Sequence, residues 1–126
     1  MKYVLIIVGI FLFFFWRYMK NLNSKFDEDI LNKLYNDFIE IAKSNGYEYE
    51  FSKSVGIMQN SIILKKYSDD NTKGVFISLL QTSDEKASLN YRFFDNGWQP
   101  FKKLNINTFE INKGLFQDIN SQYETM

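Results

Sequence analysis

The chain of 126 residues contains neither cysteine nor histidine. Those absences exclude disulfides, thiol nucleophiles, thiolate and imidazole metal sites, and every Ser-His or Cys-His relay within the polypeptide. The lack of cysteine leaves the redox compartment open. Proline occurs once, at Pro100, and the first alanine is Ala42. Basic and acidic residues balance at 15 each, but unevenly along the chain. Setting aside Lys2, Arg17 and Lys20 leaves 12 basic residues from Asn21 onward against all 15 acidic ones, about −3. An excess of that sign argues against a nucleic-acid partner, which requires a basic face, and Lys65-Lys66 and Lys102-Lys103 read as solvated strand charges.

The chain does have one long apolar run, Tyr3 to Trp16, with no charge inside it. Its eleven Val, Leu, Ile and Phe residues favour insertion into a bilayer by roughly 3 to 6 kcal/mol. As a helix the run covers only about 21 Å against a hydrocarbon core of ~30 Å. Tyr18 and Met19 must extend it, with Lys2 and Arg17 snorkelling to the headgroups and Trp16 and Tyr18 in the interfacial belt. Residues 1–20 are therefore expected to form a single-pass signal-anchor helix in contact with membrane lipid, and residues 21–25 a connector. A cleaved secretory signal is the competing reading, but Arg17-Tyr-Met-Lys-Asn-Leu offers no pair of small residues for cleavage. A buried core element would show a polar face or a turn signal, and the run has neither. Orientation stays open. Arg17, Lys20 and Lys25 after the run outnumber Lys2 before it, whereas a signal anchor with a short basic start commonly exports the domain C-terminal to it.

Residues 26–126 have the length of one compact domain. From Phe26 to Asn45 apolar residues recur every four positions, in the rows Phe26, Ile30, Leu34, Phe38, Ala42 and Leu31, Tyr35, Ile39, which predicts one amphipathic helix. Asp27, Glu28 and Asp29 suit its first turn, Ser24 its cap, and Asn45-Gly46 its end. The period then changes to two. Strands are expected at Tyr47–Ser52, about Ile57–Tyr67, Gly74–Gln81, Ser88–Phe94 and Trp98 to about Leu104, the last broken near its start by Pro100 and so placed at an edge. Asp69-Asp70-Asn71, Ser83 to Lys86, and Asp95-Asn96-Gly97 mark the turns. A final helix carries Ile111, Leu115 and Ile119 on one row, with Asn107 and Glu110 spaced as a capping box. The expected fold class is α+β: a transmembrane helix, then a two-layer domain of helix, antiparallel five-stranded meander and helix, both helices on one face.

Aromatic residues make up 18% of the chain, and a sheet covered on one face must place some of them on the other. The densest constellation is Tyr91-Arg92-Phe93-Phe94-Asp95-Asn96-Gly97-Trp98. Arg92 is the only arginine outside the membrane flank, and a guanidinium among rings can clamp a carboxylate or anchor a protein interface. Tyr91, Arg92, Phe94 and Trp98 are the candidate interaction residues. Glu48 and Glu50 share a strand face but read as its polar side, and Asp69-Asp70-Asn71 lacks the ligand spacing of a calcium loop. No catalytic residue, cofactor or metal ligand is nominated.

A short anchor with a small α+β domain rich in Asn, Lys, Ile and Phe resembles small bacterial envelope proteins, among them immunity proteins against membrane- or periplasm-acting toxins. The likeness is architectural and transfers no residues. It implies a non-enzymatic module at the inner membrane that binds another protein as adaptor or inhibitor. The alternative is a tethered domain that binds a small ligand or lipid headgroup on a ring-lined sheet face.

Overall fold

The computed structural model describes residues 2–53 and 59–126. Helix α1, Lys2–Lys25, runs without interruption through the segment expected to be a connector. It presents every large apolar side chain from Tyr3 to Trp16 to the surroundings, from 41% (Phe15) to 79% (Tyr3) exposed. Among the described residues no helix is long and apolar enough to cross a membrane.

The expected helix from Phe26 to Asn45 is two. Asp27 caps α2, Glu28–Leu34, by accepting a hydrogen bond from the Ile30 amide at 3.0 Å, and Ser24 lies within α1. Helix α3, Asn36–Ser44, comes after the single residue Tyr35, whose φ of −108° and ψ of 19° leave the helical region. The break has a cause in the core. Tyr35 is fully buried, and its hydroxyl donates to Gln81 Oε1 at 2.6 Å. The offset turns Ile30 and Leu34 outward, while Leu31, Tyr35, Phe38, Ile39 and Ala42 stay buried. Asn45 closes α3 and Gly46 takes φ of 85°, the left-handed conformation expected of that pair.

Five antiparallel strands form one sheet in chain order: β1 Glu48–Ser52, β2 Ser61–Tyr67, β3 Lys73–Gln81, β4 Lys86–Asp95 and β5 Lys102–Asn107. Ile57, the expected start of the second strand, lies outside the described residues. The register places Phe51, Ile62, Leu79, Leu89 and Leu104 in one cross-strand row and Tyr49, Leu64, Ile77 and Tyr91 in the next. Both rows point to the helices. After β5 a 3-10 turn, Thr108–Glu110, leads to α4, Lys113–Glu124. Asn112 caps α4 by accepting from the Leu115 amide at 3.1 Å, whereas Asn107, the expected cap, begins the 3-10 turn without a side-chain cap bond. Phe116 of α4 packs edge-on against Phe38 and Tyr47, with ring centroids 5.5 and 5.1 Å apart. One hydrophobic core thus lies between the sheet and a single layer of α2, α3 and α4.

Gln81 is the buried polar hub of that core. Besides accepting from Tyr35, its amide donates to the Ser83 carbonyl at 2.7 Å and to Thr108 Oγ1 at 2.6 Å, tying the β3–β4 turn to the end of β5. Burial holds the Tyr35 hydroxyl well above the ordinary tyrosine range, so it remains a donor. Each buried group left unpaired costs about 1–3 kcal/mol. Gln81→Leu should therefore lower the unfolding free energy by about 2–4 kcal/mol in a urea titration. Adding Tyr35→Phe should recover part of that loss, because both partners are then apolar; an additive second loss would show that the pair is not coupled.

Candidate functional site

The sheet face turned away from the helices carries the alternate residues. Along β3 these are Phe76, Ser78 and Leu80, and along β4 they are Ser88, Asn90, Arg92 and Phe94, all buried or half-buried. Strand parity therefore separates the four candidate residues. Arg92, Phe94 and Trp98 come together on this open face. Tyr91 does not: it faces the helices, 7% exposed, with its ring against Phe93 at 5.7 Å.

Arg92 is the centre of the cluster. Its guanidinium carbon lies 4.2 Å from the Trp98 ring, 4.4 Å from Phe101 and 6.0 Å from Phe76, its cross-strand partner on β3. Trp98 in turn packs on Phe94 at 5.2 Å and on Tyr67 at 6.4 Å, and Phe76 meets Phe101 at 6.1 Å. Tyr67, Trp98 and Phe101 remain 43%, 42% and 50% exposed. Among the described residues Arg92 has no ion pair, and its Nε is buried with no hydrogen-bond partner. A guanidinium stacked between rings, with no counter-charge among the described residues, has the geometry to bind a carboxylate or another planar anion.

Pro100 explains why two rings three positions apart reach the same cation. With a period of two, Trp98 and Phe101 would lie on opposite faces. The turn residue Asn96 has φ of 58°, and Trp98 bridges to Phe94, but the ladder resumes only at Lys102 opposite Tyr91. Between those two pairings three residues, Gln99 to Phe101, face two on β4, Arg92 and Phe93. Pro100 cannot donate to a ladder, and one extra residue is a bulge that restores Phe101 to the face of Trp98. The strand expected from Trp98 thus begins at Lys102, and Phe101, Phe76 and Tyr67 join the cluster beyond the residues expected from sequence. The proline was the available signal for Phe101.

The neighbouring turn is also built for this cluster. A Cβ on Gly74 would lie 2.8 Å from Tyr67 Cδ1 and 3.1 Å from the Lys66 carbonyl, so only glycine lets the Tyr67 ring lie across β3. Asp70 organises the turn, its carboxylate accepting from Ser68 Oγ at 2.7 Å, from Thr72 Oγ1 at 2.8 Å and from the Thr72 amide at 3.2 Å. Those bonds hold its pKa down at about 2, against an ordinary 3.8. Glu50 pairs with Lys65 at 3.8 Å on the same open face, in keeping with its reading as the polar side of β1. Among the described residues no group of acidic side chains gathers to hold a metal ion.

Two grooves are also present, neither on the ring-bearing face. One, of about 610 Å³, is lined by Leu34, Asp84, Glu85, Asn107, Thr108 and Phe109; the other lies along α2 at Asp29, Asn32, Lys33 and Asn36. In comparisons with known proteins, no family model, curated protein or solved structure matches the chain.

Two outcomes are expected on the Tyr67 side of the cluster. Gly74→Ala should displace the Tyr67 ring, seen as a large chemical-shift change for Tyr67 and Trp98 and a lower melting temperature; unchanged spectra would contradict the close approach. Asp70 is more acidic folded than unfolded, so its stabilisation is present above about pH 4 and is lost as pH falls toward 2. In Asp70→Asn that part of the acid-induced loss of stability should disappear from a pH series of urea titrations.

Proposed function

We propose that the chain is a membrane-tethered, non-enzymatic interaction module of the bacterial envelope, whose open face captures an acidic segment of a protein partner. The observation that carries the proposal is Arg92, flanked by Trp98 and Phe101 and lacking a counter-charge among the described residues. Arginine and tryptophan are the residue types that dominate protein interfaces, because each offers large contact area with directed polar groups. The Arg92 fork can bind a carboxylate in two-point fashion while the half-exposed rings around it exclude water.

The tether is α1. Its apolar surface, exposed from Tyr3 to Trp16, is far larger than water-soluble monomers leave bare. Its 24 residues extend about 36 Å, although the unbroken apolar stretch covers only about 21 Å. Lys2 and Arg17 at the ends of that stretch can reach headgroups by snorkelling, and local thinning accommodates the remainder at small cost. Tethering confines the domain near other membrane components, so that a modest interface suffices for binding. The absence of cysteine and histidine supports the non-enzymatic reading, since it removes the commonest nucleophiles and proton carriers.

A photoreactive phenylalanine analogue at Phe101, in the full chain in native membranes, tests the proposal. It should yield a discrete protein adduct whose crosslinked segment contains Asp or Glu close to the attachment point. Arg92→Gln should reduce that adduct by about 30-fold, a hot-spot loss of about 2 kcal/mol, without changing the fold. An adduct that persists undiminished in Arg92→Gln, or maps to a segment without acids, would remove the role given to the guanidinium. Recovery of no protein adduct would count against the interaction reading itself.

A further inference from the structure

The domain has a second exposed apolar feature, far from Arg92 and at the end where α1 joins. Lys25, the last residue of α1, pairs with Asp84 in the β3–β4 turn. The next residue, Phe26, is buried in the core. The Glu85 carbonyl accepts from the Thr108 amide at 2.8 Å, and Gln81 binds both Ser83 and Thr108. The β3–β4 turn and the 3-10 turn after β5 therefore form one platform at the foot of α1. On it stands Phe109, 77% exposed, the most exposed large apolar side chain outside α1 among the described residues. It borders the 610 Å³ groove together with Leu34, and Leu34 and Ile30, one turn apart on α2, are themselves 39% and 36% exposed.

We infer that this platform rests on the lipid surface, with Phe109 inserted among the headgroups beside the emerging anchor. The inference rests on the reading of α1 as the membrane anchor. Contact with the bilayer at the domain end of α1 gives the Phe109 ring an apolar surrounding that water denies it, as amphipathic interfacial segments obtain by shallow burial. The charges beside it are mixed, Lys25 and Lys86 against Asp84, Glu85 and Glu110, so the contact calls for apolar insertion and not for anionic lipid. β4 leads away from this end, and Arg92 lies six residues beyond Lys86, about 20 Å along the strand. Insertion of Phe109 would hold the domain upright and present the open face at that height.

Tryptophan fluorescence of the full chain in phosphatidylcholine vesicles containing doxyl-labelled lipid tests the anchor and the platform together. Trp98→Phe leaves Trp16 as the sole indole and reports on α1. Trp16→Phe with Trp98→Phe and Phe109→Trp places the sole indole on the platform. The expected result is a blue-shifted, lipid-quenched emission at both positions, unchanged when phosphatidylglycerol is added. A quenched Trp16 with a water-like, unquenched indole at 109 would overturn the platform contact and leave the anchor standing. Two unquenched indoles would overturn both.

Discussion

The one-sided cover of the sheet is the constraint on which the rest of the structure depends. The helices on either side of the meander in sequence pack together through Phe38, Tyr47 and Phe116 on a single face. Because successive side chains alternate, that packing commits one residue in two of every strand to the core and the next to an uncovered face. Ile62, Leu64, Val75, Ile77, Leu79 and Leu89 disappear from solvent by this rule. The same rule delivers Arg92, Phe76 and Phe94 to the other side, away from α2, α3 and α4.

The uncovered face is not uniform. Its lower half, toward the β3–β4 turn, carries Ser78, Ser88 and Asn90 beside Leu80, while its upper half carries the rings. Three local devices concentrate the rings there. The glycine at 74 admits the Tyr67 ring, the Asn96 turn returns the chain over β4, and the bulge at Pro100 moves Phe101 to the side of Trp98. The turn and the bulge depart from regular strand geometry, Gly74 keeps it, and all three serve the surroundings of Arg92. Departures from local regularity that converge on one cation are where function is most economically placed.

The strands and the turns between them are legible in the sequence because a period of two, with Asp69-Asp70-Asn71 and Asp95-Asn96-Gly97 as punctuation, is a backbone property that survives there. The division of Phe26–Asn45 at Tyr35 is not, since its cause is a hydroxyl reaching a glutamine 46 residues away. Tyr91 and Arg92, adjacent in sequence, read as one candidate patch. Their separation comes from the pleat, and only the knowledge of which parity meets the helices assigns each to its side. Phe101 is hidden by the bulge, because an unbroken strand from Trp98 would put it on the opposite face. Phe109 carries no periodic signal, lying in a 3-10 turn between strand and helix.

Under the proposed function the Arg92 cluster serves recognition and contributes little to the fold. The most direct measurement is the unfolding free energy of the chain carrying Arg92→Thr, Trp98→Ser and Phe101→Ser together, set beside that of Phe116→Ala. The core truncation should cost about 3–5 kcal/mol. The triple substitution should cost less than that single core change and leave the far-ultraviolet spectrum intact. A triple variant that unfolds, or loses more stability than Phe116→Ala, would show that the rings form a second structural core and would contradict the assignment of this cluster to recognition.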